Sequence, residues 1–192
     1  MTQGVIKAVF IGSTSVGKTA ILLRYQTGGY QETCATTGAT GVELPIKYDK
    51  EEVKVTFWDT AGQEAFQGLA PLYIRGSHVV IYVFDLTNQT TFDDLSKWHH
   101  LVSESWDPTT PSVVVGNKID IQNKIVVSSN QAFEWADSIG ATYIETSALT
   151  GQNIECLFTE VARLVLDKQQ IKEDPRPLPI NGEDKGLICC KW

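Results

Sequence analysis

Four short strings in the 192-residue chain carry side chains suited to a phosphorylated ligand. The first, Gly12-Ser13-Thr14-Ser15-Val16-Gly17-Lys18-Thr19, fits the phosphate-loop pattern: glycine, four residues, then glycine, lysine and a hydroxyl residue. Glycines let such a loop wrap a phosphate with its amides turned inward, and a helix beginning at the lysine adds positive potential. On that reading the backbone of Ser13, Thr14, Ser15, Val16, Gly17, Lys18, Thr19 and Ala20 cradles phosphates. The Lys18 ammonium meets the β- and γ-phosphates, and the Thr19 hydroxyl ligates Mg²⁺. Alone, this string specifies a nucleoside triphosphate and no particular base.

The second string is Trp58-Asp59-Thr60-Ala61-Gly62-Gln63-Glu64. An acid at the end of a buried strand is costly unless it meets a cation, which makes Asp59 a candidate Mg²⁺ ligand. Gly62 lets its amide approach a γ-phosphate, and Gln63 carries a neutral donor and acceptor suited to orienting a water. The third is a strand, 113–116, that ends in Asn117-Lys118-Ile119-Asp120. The Asp120 carboxylate can accept two hydrogen bonds from guanine, one from the ring N–H and one from the 2-amino group. Adenine would leave it unpaired, a mismatch that can be worth about 10⁴–10⁵ in discrimination. This argues against an ATPase. The Lys118 stem can lie along the base plane. The fourth string, Ile144-Glu145-Thr146-Ser147-Ala148, also ends a strand and brings the Ala148 amide within reach of the guanine carbonyl oxygen.

Such strings work together only if strand ends bring them to one edge of a sheet. Short apolar, β-branched runs at 5–11, 42–48, 53–58, 78–85, 112–116 and 142–145 predict six strands. Val79-Val80-Ile81-Tyr82-Val83-Phe84 does not alternate, which suits a parallel strand buried on both faces. Tyr48-Asp49-Lys50-Glu51-Glu52 joins two runs by a short turn and predicts one antiparallel edge strand. Helical patterns fall at 17–27, 91–105, 129–139 and 153–169, with a weaker one at 66–73, giving about five helices. The class is α/β with three layers and a mostly parallel sheet, whose ligands bind at the carboxyl ends of the strands.

Composition narrows the field. Hydrophobic residues make up 42% of the chain and charged residues 20%, ordinary for one globular domain. No apolar run is long enough to span a membrane, and no basic segment precedes the first apolar run as in a signal peptide. A net charge of −7 excludes nucleic-acid binding through a basic surface. Cys34, Cys156, Cys189 and Cys190 match no zinc spacing and need not staple a chain of this size, so the expected compartment is reducing and cytosolic. Cys34 is expected to be exposed, and Cys156 to lie on a core helix face. His78, His99 and His100 show no metal spacing. Trp98, Trp106 and Trp135 are expected to serve packing. The domain is expected to span 1–168. Residues 169–192 read as a flexible tail holding three of the 7 prolines.

Together, Gly12–Thr19, Asp59–Glu64, Asn117–Asp120 and Glu145–Ala148 resemble the guanine-nucleotide signature of Ras-superfamily small GTPases, over about 4–168. Lys54-Val55-Thr56-Phe57-Trp58-Asp59-Thr60-Ala61-Gly62-Gln63-Glu64, Leu72-Tyr73-Ile74-Arg75-Gly76-Ser77 and Val83-Phe84-Asp85-Leu86-Thr87 are similar to Rab-type segments. The resemblance implies a P-loop NTPase G domain that binds GTP with Mg²⁺ and hydrolyses it to GDP. Lys18, Gly62 and Gln63 would act in catalysis, Gln63 by aligning the attacking water. Thr19, Asp59 and a threonine of the first switch would hold Mg²⁺. Counting back from Asp59 selects Thr36 for that threonine, and counting forward from Thr19 selects Thr37; Thr36 is adopted. Tyr30 would stack on the guanine. Loops at about 30–41 and 61–76 would loosen on hydrolysis, giving a monomeric switch in vesicle traffic.

The resemblance further implies an exchange factor, a GTPase-activating protein, a Rab escort protein and a GDP dissociation inhibitor as partners, with no effector specified. The end of the chain, Cys189-Cys190-Lys191-Trp192, fits C-a-a-X poorly but is similar to Rab tails prenylated on both cysteines. A tail with no net charge offers no polybasic second signal, so two lipids would be needed to anchor it on the cytosolic face of an intracellular membrane. The chain departs from the pattern at Thr36-Thr37-Gly38-Ala39-Thr40-Gly41, which lacks the usual apolar and aromatic residues, and at Ala65-Phe66-Gln67-Gly68, which lacks an arginine. Thr14 and Ser15 add bulk near Gln63. These departures motivate a competing reading, a nucleotide-binding interaction module that hydrolyses poorly; Gln63 argues against it.

Overall fold

A computed structural model describes residues 6–34, 36, 38–60, 73–103, 107 and 109–173. In chain order the elements are β1 (Ile6–Ile11), α1 (Lys18–Thr27), β2 (Ala39–Tyr48), β3 (Glu51–Thr60), β4 (Val79–Asp85), α2 (Gln89–Asp93), α3 (Leu95–Ser103), β5 (Ser112–Asn117), a 3₁₀ turn (Gln122–Lys124), α4 (Ser129–Ser138), β6 (Thr142–Glu145) and α5 (Ile154–Glu173). The strands form one six-stranded sheet in the order β2-β3-β1-β4-β5-β6. All neighbours are parallel except the edge pair β2–β3, joined through Asp49 and Lys50, with Asp49 in the left-handed region at φ 54.

The non-alternating runs behave as expected of doubly covered strands. Every residue of β4 and β5 is buried. In β1, Ala8 and Phe10 face a core shared with Ile21 of α1 and with Phe158 and Val161 of α5. Val9 and Ile11 face the opposite core, with Leu95 and Trp98 of α3 and Ala132 and Ala136 of α4. The result is three layers with the sheet in the middle. Phe158 anchors the first core: it stacks on Tyr25 at 3.8 Å and lies 4.9 Å from Phe57.

The elements differ from the sequence expectations in three places. β2 begins at Ala39, before the apolar run at 42, because its ladder with β3 runs unbroken from Ala39↔Thr60 to Tyr48↔Glu51 and carries Gly41 with it. The helix expected at 91–105 is two helices: Asn88 caps α2 by accepting from the Thr90 N–H, and the chain turns at Asp94 before α3. α5 continues to Glu173, four residues past the helical pattern expected at 153–169, since Gln170 and Lys172 favour helix and the next proline is Pro175. The weaker helical pattern at 66–73 lies outside the described residues apart from its last residue, Tyr73, which is helical.

Candidate nucleotide site at the carboxyl edge of the sheet

β1, β3 and β5 release their chains at the same edge, and the space between is a cleft of about 290 Å³. Its walls come from the phosphate loop and α1 (Thr14, Ser15, Gly17, Lys18, Thr19, Ala20), from Tyr30, Thr33, Cys34 and Thr36, from Thr60, and from Asn117, Lys118, Asp120, Ile121, Ala148 and Leu149. Two glycines are required here. A side chain at Gly12 (φ 141) would overlap the Val83 carbonyl of β4, and one at Gly17 (φ 99) would overlap the Asn117 amide. Gly17 leaves the start of α1 without a side-chain cap, so its free N–H groups face the cleft as an anion site.

Lys18 is buried, and its ammonium donates to the carbonyls of Gly12 and Ser13, each at 2.8 Å. Burial pushes its pKa down to about 8, with the nearby Asp59 charge opposing the shift. Beside it the Thr19 hydroxyl donates to Asp59 Oδ2 at 2.6 Å, and the Thr36 hydroxyl lies 2.9 Å from Thr19 and 3.4 Å from the same carboxylate oxygen. Asp59 is only 4% exposed, and its Oδ1 is buried with no hydrogen-bond partner. Burial raises its pKa, against the Thr19 hydrogen bond, the Lys18 charge and the Thr36 hydrogen bond. Two hydroxyls and a carboxylate with an orphaned oxygen are a hard oxygen donor set, and the residues present fit Mg²⁺.

At the other end, Ser147 donates to Asp120 Oδ1 at 2.5 Å and Lys118 pairs with Asp85 Oδ2 at 2.6 Å. Tyr30, 46% exposed, lines the cleft where a flat base could lie.

A model of the Ras family matches residues 7–167. The chain is 40% identical over 84% of its length to the Ras-related protein RabJ of Dictyostelium discoideum, covering 64% of that protein. It is 37% identical over 96% of its length to the GTP-binding protein YPT1 of Saccharomyces cerevisiae, covering 90% of it, and 36% identical over 94% to the Ras-related protein Rab-1D of Dictyostelium discoideum, covering 89%.

The chain belongs to the Ras family and is a Rab-type GTPase.

In this Rab-type chain the structure brings together Lys18, Thr19, Thr36, Asp59, Tyr30, Lys118 and Asp120. Other candidate residues have partners within the protein. The Asn117 side chain faces the protein, donating to the Val16 carbonyl at 2.9 Å and accepting from Thr146 and from the Ala148 N–H, each at 3.2 Å. Val16 and Ser147 are fully buried beneath the cleft, and Ser13 turns its hydroxyl outward to Asp94 at 3.1 Å. Gly62 and Gln63 lie outside the described residues, as do Thr37, Trp106, Cys189 and Cys190. Cys34 is an exposed free thiol, and Cys156 packs at the edge of the α5 core. Trp98 and Trp135 serve packing, and His99 bonds the Tyr82 hydroxyl at 3.0 Å.

Sequence reasoning missed Asp85, Asp94 and Leu149. Asp85 had the same signal as Asp59, an acid ending a buried strand, and its cation is Lys118. Nothing in the local pattern marks Asp94 or Leu149. The switch positions that depart from the Rab pattern leave Gly41 opposite Trp58, with Tyr73 at 6.0 Å and the Lys7 ammonium 5.3 Å over the indole. Among the described residues, no helix is long and apolar enough to cross a membrane.

Proposed function

We propose that the cleft holds a guanine nucleotide with Mg²⁺ and that the chain cycles between GTP and GDP forms to recruit effectors in vesicle traffic. The observation that carries this reading is the convergence, on one sheet edge, of a buried lysine, a hydroxyl–carboxylate cluster with an orphaned oxygen, and a carboxylate held for the base. Thr19, Thr36 and Asp59 would hold Mg²⁺. When bound, the ion would supply positive charge to the phosphate oxygens. Lys18 is already fixed by two carbonyls, so its charge can act on the γ-phosphate with little reorganisation. The uncapped start of α1 gives further N–H donors. Gln63 would orient the attacking water. No described arginine lines the cleft, which favours slow intrinsic turnover, on the order of 10⁻⁴ s⁻¹, raised by an activating protein.

Loss of the γ-phosphate would release Thr36 and Gly62 and so change the surface that partners read. An exchange factor, an activating protein, a Rab escort protein and a GDP dissociation inhibitor are the partners expected of this family. Cys189 and Cys190 would carry prenyl groups that bring the chain to the cytosolic face of an intracellular membrane. The test is binding of fluorescent mant-GDP against mant-ADP in the presence of Mg²⁺. A strong preference for guanine is expected; equal binding, or none, refutes the reading.

A further inference from the structure

Arg24 sits in the last turn of α1 and reaches the far end of the cleft from outside. Its Nη1 donates to the Leu149 carbonyl at 3.2 Å and its Nη2 to the Thr150 carbonyl at 2.9 Å. The guanidinium lies across Gly151 (φ +88), where a Cβ would stand only 2.6 Å from Nη2. The absence of a side chain at that position is what admits the arginine. The same turn carries the groups that serve the base. Ser147 holds Asp120, the Ala148 N–H meets Asn117, and Leu149 lines the cleft while remaining 52% exposed. Within the turn, the Gly151 N–H donates to the Ser147 carbonyl at 2.8 Å and the Ser147 N–H to the Gln152 carbonyl at 3.1 Å.

We infer that Arg24 is a positioning residue that sets how long the nucleotide stays bound. α1 begins at Lys18, at the phosphates, and ends with a fork on the loop under the base. One rigid helix therefore holds the two ends of the cleft in register. Loop 147–151 cannot lift off the base without breaking two charge-assisted hydrogen bonds. A planar guanidinium suits two carbonyls on adjacent residues, whereas an ammonium offers a point charge. Removing the fork frees the loop and, through Ser147, the orientation of Asp120. It leaves Lys18, Thr19 and Asp59 in place, so chemistry on a nucleotide already bound is unaffected.

The inference rests on the reading of the cleft as a guanine-nucleotide site, and the experiment separates the two. The full chain is loaded with mant-GDP and chased with excess GDP; single-turnover hydrolysis of preloaded GTP is measured in parallel. Arg24→Ala is expected to release mant-GDP roughly tenfold faster, the effect of losing about one charged hydrogen bond, with Arg24→Lys in between. Hydrolysis per bound GTP should stay within about twofold of wild type, since the lost contact adds nothing to the transition state. A wild-type chain that retains no mant-GDP removes the nucleotide reading and this inference with it. A wild-type chain that retains it, with Arg24→Ala releasing at the same rate, overturns the inference alone. Hydrolysis that falls in step with faster release shows general loosening and also overturns it.

Discussion

Single side chains in this cleft are tuned by what they lack as much as by what they touch. Asp120 has one oxygen held by Ser147, so its direction is set before a base arrives. Asp120→Ala should lower GDP affinity by at least about a hundredfold and bring GDP and ADP close together, as read by competition against mant-GDP. Lys18 makes a second case. Its pKa is about 8 folded against an ordinary 10.5, so between those values the folded chain holds fewer protons than the unfolded one. The nucleotide-free chain should therefore bear the full cost of the buried charge below pH 8 and gain stability as the pH rises. Denaturant unfolding at pH 8 and pH 9.5 should differ by on the order of 2 kcal/mol from this group. Lys7, also lowered by burial, adds in the same direction. Lys18→Met should flatten most of the slope; an unchanged slope would mean that the charge is not felt.

The elements of the nucleotide edge are joined by side chains that bond one loop to another. Asn117, 1% exposed at the end of β5, ties the phosphate loop at Val16 to the turn after β6 at Thr146 and Ala148. Asn117→Ala would strand three buried groups at once, and the expected cost is about 2–4 kcal/mol of stability in urea unfolding. Guanine-nucleotide affinity should fall with it, because both loops lose their common strut. The Asp94 corner between α2 and α3 similarly reaches the phosphate loop at Ser13, while its other oxygen pairs with Lys97 at 2.7 Å.

Across the whole molecule, ligand and fold support each other. A ligand that binds only the folded form adds stability by mass action, so saturating GDP with Mg²⁺ should raise the melting temperature. Removing divalent ions with EDTA should speed mant-GDP release by roughly tenfold or more, since the Asp59 oxygen left without a partner would again face the phosphates uncompensated. Identical release with and without chelator would remove Thr19, Thr36 and Asp59 as a metal site. Far from the cleft, Glu160 accepts from Thr142 at 2.8 Å and from Arg163 at 2.7 Å, tying α5 to β6.

The amino-acid sequence alone determined the chemistry and the class of fold. Lys18, Asp59 and Asp120 are legible because each motif couples a residue type to a strand end, and runs such as 79–84 can be buried on both faces only in a covered parallel sheet. Local signals end where partners are distant along the chain. Whether Asn117 faces a base or a backbone depends on Val16, 101 residues away, and whether Arg24 is a solvated surface charge or a clasp depends on Gly151. Two counts along the chain select Thr36 or Thr37, with Thr36 adopted, and the approach of the Thr36 hydroxyl to 2.9 Å from that of Thr19 is a matter of three-dimensional folding. Spacing within a motif is fixed by covalent geometry; the meeting of motifs is fixed by how the sheet stacks its strands, and that is decided only in the folded core.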